Sequence, residues 1–368
     1  MTTIERRPNI VGLLVALAAL VAGGVVWVAA RSSGEGEAVA STVWAATSTV
    51  SARVVPNSSA PTAPATTVVV DTALPSASGV VLFAHSFEPD AVLRIEVDRG
   101  AVVTTAVGPV MSTAPAFLAV GPSVAVVRPY DNVRGYVVAD SGAVSEPSGL
   151  LGGGTFMTCS DGRRDRVWLD RGTLVQVDYR GLLTAQIGGA DRPSAIGCDG
   201  AGEMLYRIGN NTLVTGDGPP TPITSNTLVA AGPRTFLVRD CAAAAACSLT
   251  VVDRPTGERR SLTLDFALTT PQSFPVQPEG RLGSISPDGH SALLFRAQSE
   301  PVFVDLASGA AQGGIPIVGV FQSLVWSTDS RYLFFIGGGY KLWAFDRETR
   351  NLKPLGINNV LALASRPS

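Results

Sequence analysis

Four arginines recur at one point of a repeating pattern, in which a glycine is followed seven residues later by an arginine with an apolar run between them. The copies are GPSVAVVR, GAGEMLYR, GPRTFLVR and GHSALLFR, and they end at Arg128, Arg207, Arg239 and Arg296. A guanidinium group binds a phosphate or a carboxylate through two parallel hydrogen bonds. If these strands end on one face of the fold, the arginines predict a binding site for an anionic partner. The alternative is that each arginine pairs with a neighbouring acid.

The four cysteines are the second group of reactive side chains. Cys241 and Cys247 enclose five alanines between two predicted strands, so a disulfide there would close a hairpin loop. Cys159 and Cys198 precede Ser-Asp-Gly and Asp-Gly at matching points of successive repeats. A disulfide between them would join adjacent units if their Cα atoms lie within about 7 Å. The alternative for this second pair is two buried free thiols.

Patterns for catalysis and metal binding are missing from the sequence. Of the only two histidines, His85 ends a predicted strand and is interpreted as structural, and His290 is interpreted as a solvated turn residue. No C-x-x-C pair offers a zinc site, and no G-x-S-x-G places a nucleophile. The glycine-rich runs at 149–155 and 336–339 lack the lysine of a phosphate-binding loop. We therefore predict no catalytic residue, no metal and no cofactor.

The N-terminal segment predicts a membrane anchor. Residues 10–30 are 21 consecutive residues without a charge, and a helix of that length spans the roughly 30 Å hydrocarbon core of a bilayer. Arg6 and Arg7 precede this run, and cationic side chains resist translocation. The sequence therefore predicts a cytoplasmic tail at 1–9, a single transmembrane helix, and the bulk of the chain outside the cytoplasm.

A cleaved signal peptide is the alternative to an anchor, since small residues suited to cleavage lie at 28–30 and 38–40. Both interpretations place the remainder of the chain outside the cytoplasm. Residues 31–78 are rich in Ser, Thr, Pro and Ala and predict a disordered linker that acts as a spacer. Within it, only the valines at 68–70 have the composition of a strand.

The residues after the linker repeat about every 40 positions. An aliphatic strand that ends in Asp, followed by a turn that usually contains Gly, occurs seven times, at Asp98, Asp140, Asp178, Asp217, Asp253, Asp305 and Asp346. The pairing of Asp with Gly is typical of a hairpin turn, because the carboxylate caps the turn amides and glycine accepts a positive φ. One hairpin per repeat of this length fits one four-stranded propeller blade.

The two ends of the repeating region complement each other. The first repeat begins with GVVLFAHS (79–86), which matches a second strand, and so it lacks a first strand. NVLALAS (359–365) at the C-terminus supplies the missing strand. A shared blade would close the ring and remove an open edge. The sequence thus predicts an all-β, seven-bladed β-propeller over residues 79–368.

Two repeats carry a resemblance to a known group. SISPDGHSALLFRAQSEPVFVDLASG (284–309) and SLVWSTDSRYLFFIGGGYKLWAFDRET (323–349) resemble TolB-type and related WD-like propeller repeats. The resemblance implies the fold, and by analogy a binding or scaffolding role. The Trp-Asp dipeptide of WD repeats and the Asp-box of sialidase-type propellers are both absent, which argues against a glycosidase.

These features together favour a membrane-anchored extracytoplasmic propeller that binds a protein or an anionic cell-envelope polymer and is not an enzyme. The alternatives are an extracytoplasmic hydrolase or lyase with a site at the channel mouth, and a structural partner in a larger membrane complex. A formal net charge of −2 gives no basic excess for nucleic acid, so we predict no nucleic-acid partner.

Overall fold

Short strands, nearly all of them paired antiparallel, are the main secondary structure of the chain that the structure, a computed structural model, describes. The described residues all lie in one compact unit of the chain, 44–368, and one 3-10 helix occurs among them, Gly149–Gly152. The described ranges are 66–69, 74–108, 117–128, 135–152, 157–188, 192–243, 246–264, 266, 268, 282–295, 301–315 and 323–368.

The first sixteen strands cover the N-terminal half of the described chain. They are β1 (Thr66–Val69), β2 (Val80–Phe87), β3 (Asp90–Glu96), β4 (Ala101–Ala106), β5 (Phe117–Val120), β6 (Val124–Arg128), β7 (Tyr136–Ala139), β8 (Val144–Ser145), β9 (Met157–Cys159), β10 (Arg166–Asp170), β11 (Leu174–Asp178), β12 (Leu183–Ile187), β13 (Ser194–Cys198), β14 (Met204–Ile208), β15 (Asn211–Val214) and β16 (Thr221–Thr224).

Thirteen more strands complete the C-terminal half. They are β17 (Thr227–Ala231), β18 (Thr235–Ala243), β19 (Ala246–Asp253), β20 (Arg259–Leu262), β21 (Gly283–Ile285), β22 (Ser291–Phe295), β23 (Pro301–Asp305), β24 (Ala311–Gly314), β25 (Leu324–Trp326), β26 (Tyr332–Gly337), β27 (Lys341–Asp346), β28 (Asn351–Pro354) and β29 (Val360–Pro367). The glycine-to-arginine repeats of the sequence coincide with β6, β14, β18 and β22, as second strands should.

The strands form five separate sheets of four or five strands and one sheet of eight. Four of the sheets are simple meanders in chain order: β5 to β8, β9 to β12, β13 to β16 and β25 to β28. First strands of neighbouring sheets lie against each other, as β5 does with β9 and β9 with β13. This is an all-β, propeller-like arrangement.

The eight-stranded sheet consists of two meanders, β17 to β20 and β21 to β24, joined through their first strands. β17 and β21 pair in parallel over only two residue pairs, Ala230 with Gly283 and Ala231 with Ser284. Glycine is required at position 283, because an added Cβ would lie 2.9 Å from the Cβ of Ala230. The absence of a side chain thus lets the two first strands approach closely.

The fifth sheet contains both ends of the repeating region. Its order is β1-β4-β3-β2-β29, and β29 pairs antiparallel with β2 from Val80 opposite Pro367 to Ser86 opposite Val360. The predicted pairing of the C-terminal strand with the first repeat is therefore confirmed. Seven pairs of opposed residues join the two ends of the domain, and no open edge remains on β2.

The segment predicted as a disordered linker contains one strand. β1 lies within residues 31–78 and pairs antiparallel with β4, from Thr66 opposite Thr104 to Val69 opposite Ala101. The valines at 68–70, the part of the linker with the composition of a strand, thus overlap β1, which begins at Thr66. Two threonines followed by two valines are β-branched and suit an extended, paired backbone, and the outer edge of β4 offers unpaired amides and carbonyls.

Apolar cores lie between neighbouring sheets. One core joins Leu82 and Leu363 of the closing sheet with Phe334 and Ile336 of β26. Such packing follows from the period-two pattern of each strand, whose alternate side chains meet the next sheet on either side.

Four of the seven repeated aspartates cap their own turns, as predicted. Asp178, Asp253, Asp305 and Asp346 each accept hydrogen bonds from backbone amides two to four residues further on. The prediction is wrong for the other three, which bind elsewhere: Asp98 accepts from Ser78, Asp140 from Arg366, and Asp217 pairs with Arg166. The carboxylates of these three bind donors from other segments of the chain that lie beside the turn.

The predicted tail at 1–9 and transmembrane helix at 10–30 lie outside the described residues. Within the described ranges, no helix has the length and apolar character needed to cross a membrane.

Candidate anion-binding site

A cavity of about 210 Å³ opens between the sheet of β13 to β16 and the meander of β17 to β20. Its lining residues all have polar side chains, and two of the four predicted arginines are among them. The lining residues are Arg207, Asn210, Ser225, Asn226, Thr227 and Arg239. We call this cavity the arginine recess.

The strand topology explains why these residues meet. Arg207 lies near the end of β14, Asn210 lies in the turn that follows it, and Arg239 lies on β18, opposite Thr227 of β17. Second strands turn into third strands at the same end of the sheets where successive meanders are linked, here by residues 225–226. We call this end the arginine face.

The two guanidinium groups have no ionic partner within the described ranges. Arg207 is exposed and Arg239 is half-buried, and neither side chain forms a hydrogen bond or ion pair with another described residue. The nearest acid in sequence, Asp240, is held by other donors: Asn226 Nδ2 donates to its Oδ1 at 2.6 Å and Thr250 Oγ1 to its Oδ2 at 2.8 Å. Adjacent strand residues point to opposite faces, which also separates Asp240 from Arg239.

The other two predicted arginines do not join the recess as described. Arg128 ends β6 but is only 5% exposed, and burial together with the nearby Arg171 lowers its pKa. Gly135 allows this position, because a Cβ there would lie 2.5 Å from Arg128 Cγ. Arg296 lies outside the described residues. The structure thus brings together Arg207 and Arg239.

The opposite end of the sheets carries arginines of a different kind. There, first strands turn into second strands and third strands into fourth, and we call it the aspartate face. Three ion pairs join neighbouring meanders across it: Arg254 with Asp199, Arg347 with Asp288 at 3.1 Å, and Arg366 with Asp140 at 2.5 Å. Each of these three guanidinium groups is matched by a carboxylate, so none of the three is available to a ligand.

Two buried carboxylates on the aspartate face were not singled out by the sequence analysis. Asp199 and Glu203 lie in the turn between β13 and β14, and both are almost fully buried. Burial raises the pKa of Asp199, although Arg254 and two backbone amides act in the opposite direction. The run Asp-Gly-Ala-Gly-Glu at 199–203 was the available signal, since it packs two acids into one glycine-rich turn.

These carboxylates are committed to the fold. Glu203 accepts from Trp168 Nε1 at 3.1 Å and from Thr215 Oγ1 at 2.6 Å, and it also pairs with Arg164. Asp199 accepts from two amides of its own turn, those of residues 201 and 203, and pairs with Arg254. Every carboxylate oxygen has a donor, so the arrangement clamps three meanders together and leaves no free base for catalysis.

The two predicted disulfides have different outcomes. Cys159 and Cys198 form a disulfide between β9 and β13, the first strands of adjacent sheets, with Cα atoms 5.5 Å apart. This confirms the predicted bridge between neighbouring units. Cys241 and Cys247 lie opposite each other in the β18–β19 hairpin, the placement that a bridge requires. Their side chains lie outside the described ones, and that disulfide stays a prediction.

Both histidines lie as interpreted from the sequence. His290 is an exposed turn residue. His85 on β2 is fully buried, and neither of its ring nitrogens has a hydrogen-bond partner in the described structure. Its Nε2 lies 3.7 Å from Asp90 Oδ1, but burial dominates and lowers the pKa of His85. No group of three potential metal ligands occurs among the described residues.

Comparisons with known sequences yield no relative. No protein-family model matches the chain. No curated protein matches it at a significant level. The resemblance of two repeats to TolB-type propellers therefore stays a prediction from those residues.

Solved structures resemble the chain only distantly. A candidate 6-phosphogluconolactonase from Bacteroides fragilis is 12% identical with a TM-score of 0.44, over 79% of this chain and 99% of that one. Dihydro-heme d1 dehydrogenase NirN in complex with DHE is 14% identical with a TM-score of 0.43, over 79% and 77%. Apo AztD from Citrobacter koseri is 10% identical with a TM-score of 0.39, over 77% and 88%. Similarity at this level carries no argument about activity, and the architecture rests on the strand pairing of the chain itself.

Proposed function

We propose that this protein is a membrane-anchored, extracytoplasmic, seven-bladed propeller that binds a protein or an anionic cell-envelope polymer at its arginine face, without catalysing a reaction. One observation carries the binding role. Arg207 and Arg239, from successive meanders, line a single polar recess and have no acidic partner within the described residues. Unmatched guanidinium groups beside amide and hydroxyl donors suit a phosphate or a carboxylate.

Seven blades follow if the eight-stranded sheet is counted as two. Its halves are complete four-stranded meanders joined by only two parallel pairs. Contacts between neighbours also run around the whole series. Examples are the disulfide between β9 and β13, the bond from Trp326 Nε1 to Ser284 Oγ at 2.9 Å, and the bond from Ser323 Oγ to the carbonyl of Leu363 at 3.1 Å.

The location outside the cytoplasm rests on two independent features. The uncharged run at 10–30, preceded by Arg6 and Arg7, has the length and flanking charge of an anchor with a cytoplasmic N-terminus. The disulfide between Cys159 and Cys198 belongs to an oxidising compartment, because reducing systems keep cytosolic thiols free.

Site-specific photo-cross-linking of the full-length protein in its own cells tests the binding role. A benzoylphenylalanine at Asn210, in the recess, should capture a partner, and the double variant Arg207→Gln/Arg239→Gln should abolish that capture. A benzoylphenylalanine at Glu258, an exposed turn residue on the aspartate face of the adjacent meander, is the matched control and should capture nothing specific. Equal capture by the wild-type protein and by the double variant would refute the proposal. If the purified protein hydrolyses a chromogenic ester or glycoside and the same double variant does not, the protein is an enzyme and the binding proposal is replaced.

A further inference from the structure

We infer that the arginine recess accepts a terminal phosphomonoester, a doubly charged phosphoryl group at the end of a larger molecule. This inference rests on the proposed function and narrows its ligand class. The chemistry of the lining, the local charge and the size of the cavity each support it.

The lining is rich in hydrogen-bond donors, although Asn226 Nδ2 already donates to Asp240. Arg207 and Arg239 each carry a guanidinium with five N–H groups, and the side chains at 210, 225, 226 and 227 add two carboxamides and two hydroxyls. A carboxylate has two oxygens to receive these donors, whereas a phosphomonoester has three strong acceptor oxygens. A tetrahedral group can accept from both guanidinium forks and still reach the hydroxyls, so it satisfies more of the lining.

The charge of the recess lining is positive, which favours an anion. Two guanidinium groups contribute two positive charges, and no acidic residue is among the lining residues. Asp240 lies beside the recess and accepts hydrogen bonds from Asn226 and Thr250; these donors are neutral, so its negative charge offsets part of the two positive charges. A phosphomonoester carries a charge of about −1.5 to −2 at pH 7. A single carboxylate or a phosphodiester is only a monoanion.

The volume is large enough for a terminal phosphoryl group. About 210 Å³ corresponds to several waters at roughly 30 Å³ each, enough for a phosphoryl group with a few bridging waters. The remainder of the ligand would then lie outside the recess. Two sources share this chemistry: the phosphorylated end of an envelope polymer, and a small soluble phosphomonoester.

Titration calorimetry of the full-length protein in detergent tests the inference, with glycerol 3-phosphate, dimethyl phosphate and glucuronate as probes. Glycerol 3-phosphate should bind at least about tenfold more tightly than either monoanion. Arg207→Gln and Arg239→Gln should each weaken it by about tenfold or more, the effect of losing one charge-assisted pair. Arg99→Gln, which removes an exposed arginine on the aspartate face that pairs with Glu96 at 2.9 Å, is the matched control and should leave the affinity unchanged.

The outcomes separate this inference from the proposed function. Equal or tighter binding of glucuronate, still lost in the Gln variants, would overturn the phosphomonoester and leave an anion-binding face intact. Failure of every probe, together with photo-capture that ignores the arginines, would overturn both. If glycerol 3-phosphate binds but does not reduce photo-capture from Asn210, the natural ligand of the recess is a small soluble phosphomonoester. If it does reduce capture, the ligand is the phosphorylated end of the captured partner.

Discussion

The two faces of this fold use the same side chain in opposite ways. On the aspartate face, Arg254, Arg347 and Arg366 each reach an acid of a neighbouring meander. On the arginine face, Arg207 and Arg239 reach none within the described ranges. The difference lies in the turns: those of the aspartate face present carboxylates, and the links of the arginine face present amides and hydroxyls.

The paired arginines of the aspartate face stabilise the fold, whereas Arg207 and Arg239 are available to bind a ligand. A buried carboxylate such as Asp199 must have a cationic or donor partner, because an unmatched buried charge costs several kcal/mol. An exposed guanidinium such as Arg207 stays hydrated at little cost. Mutations on the two faces should therefore affect different observables, stability on one and binding on the other.

The largest expected effect on stability comes from unpairing Asp199. Arg254→Ala leaves the carboxylate of Asp199 buried without its cation, and we expect a loss of about 3 kcal/mol in the free energy of unfolding. Urea unfolding followed by tryptophan fluorescence measures this loss. The double variant Arg254→Ala/Asp199→Asn should recover part of it, because the unmatched charge is gone. If the single variant unfolds at the wild-type urea concentration, the ion pair does not clamp the meanders.

The disulfide that joins β9 to β13 on the same face should have the next largest effect. Cys159→Ala/Cys198→Ala opens a link between residues 39 apart in sequence, and the expected loss is about 2 to 3 kcal/mol. Thermal unfolding with and without a reductant measures it. Reduction of the wild-type protein should lower its melting temperature towards that of the double variant, and it should leave the variant itself unaffected.

Periodicity made much of the fold predictable from the sequence. The second strands, the partner strand for β2 and the bridge between Cys159 and Cys198 all follow from matching positions in repeats of about 40 residues. Equal positions in a repeat impose equal backbone pairing, since pairing depends on the strand itself and its turn.

Side-chain environments could not be predicted in this way, because they depend on the neighbouring sheet. Arg128 and Arg207 share one repeat position, yet Arg128 is buried beside Gly135 while Arg207 is exposed. Asp253 and Asp217 also share a position, yet Asp253 caps its turn and Asp217 pairs with Arg166 of the adjacent sheet. Contacts with residues distant in sequence therefore determine whether a repeated aspartate caps its turn or forms an ion pair, and whether a repeated arginine is buried or exposed.

A smaller, pH-dependent effect on stability is expected from His85, which lies near the arginine face. Unlike the arginines paired across the aspartate face, its imidazole has no hydrogen-bond partner among the described residues. Its folded pKa lies below the usual 6.5 because of burial, so the unfolded state binds the proton more readily in acid. Stability from this residue is present above pH 6.5 and falls as the pH drops below that value. We therefore expect the free energy of unfolding to fall between pH 7.5 and 5.5. His85→Gln should flatten this dependence in urea unfolding, and His290→Gln, at the exposed turn histidine, should preserve it.

The smallest expected effect on stability belongs to Arg207 and Arg239. Because neither guanidinium has a partner within the described residues, Arg207→Gln/Arg239→Gln should change the free energy of unfolding by no more than about 0.5 kcal/mol. The paired variant Arg207→Lys/Arg239→Lys should be equally stable, but it should bind glycerol 3-phosphate more weakly than wild type, since an ammonium keeps the charge and loses the fork. A destabilisation of several kcal/mol in the Gln variant would show that these arginines hold the fold as those of the aspartate face do. The distinction between the two faces would then fail.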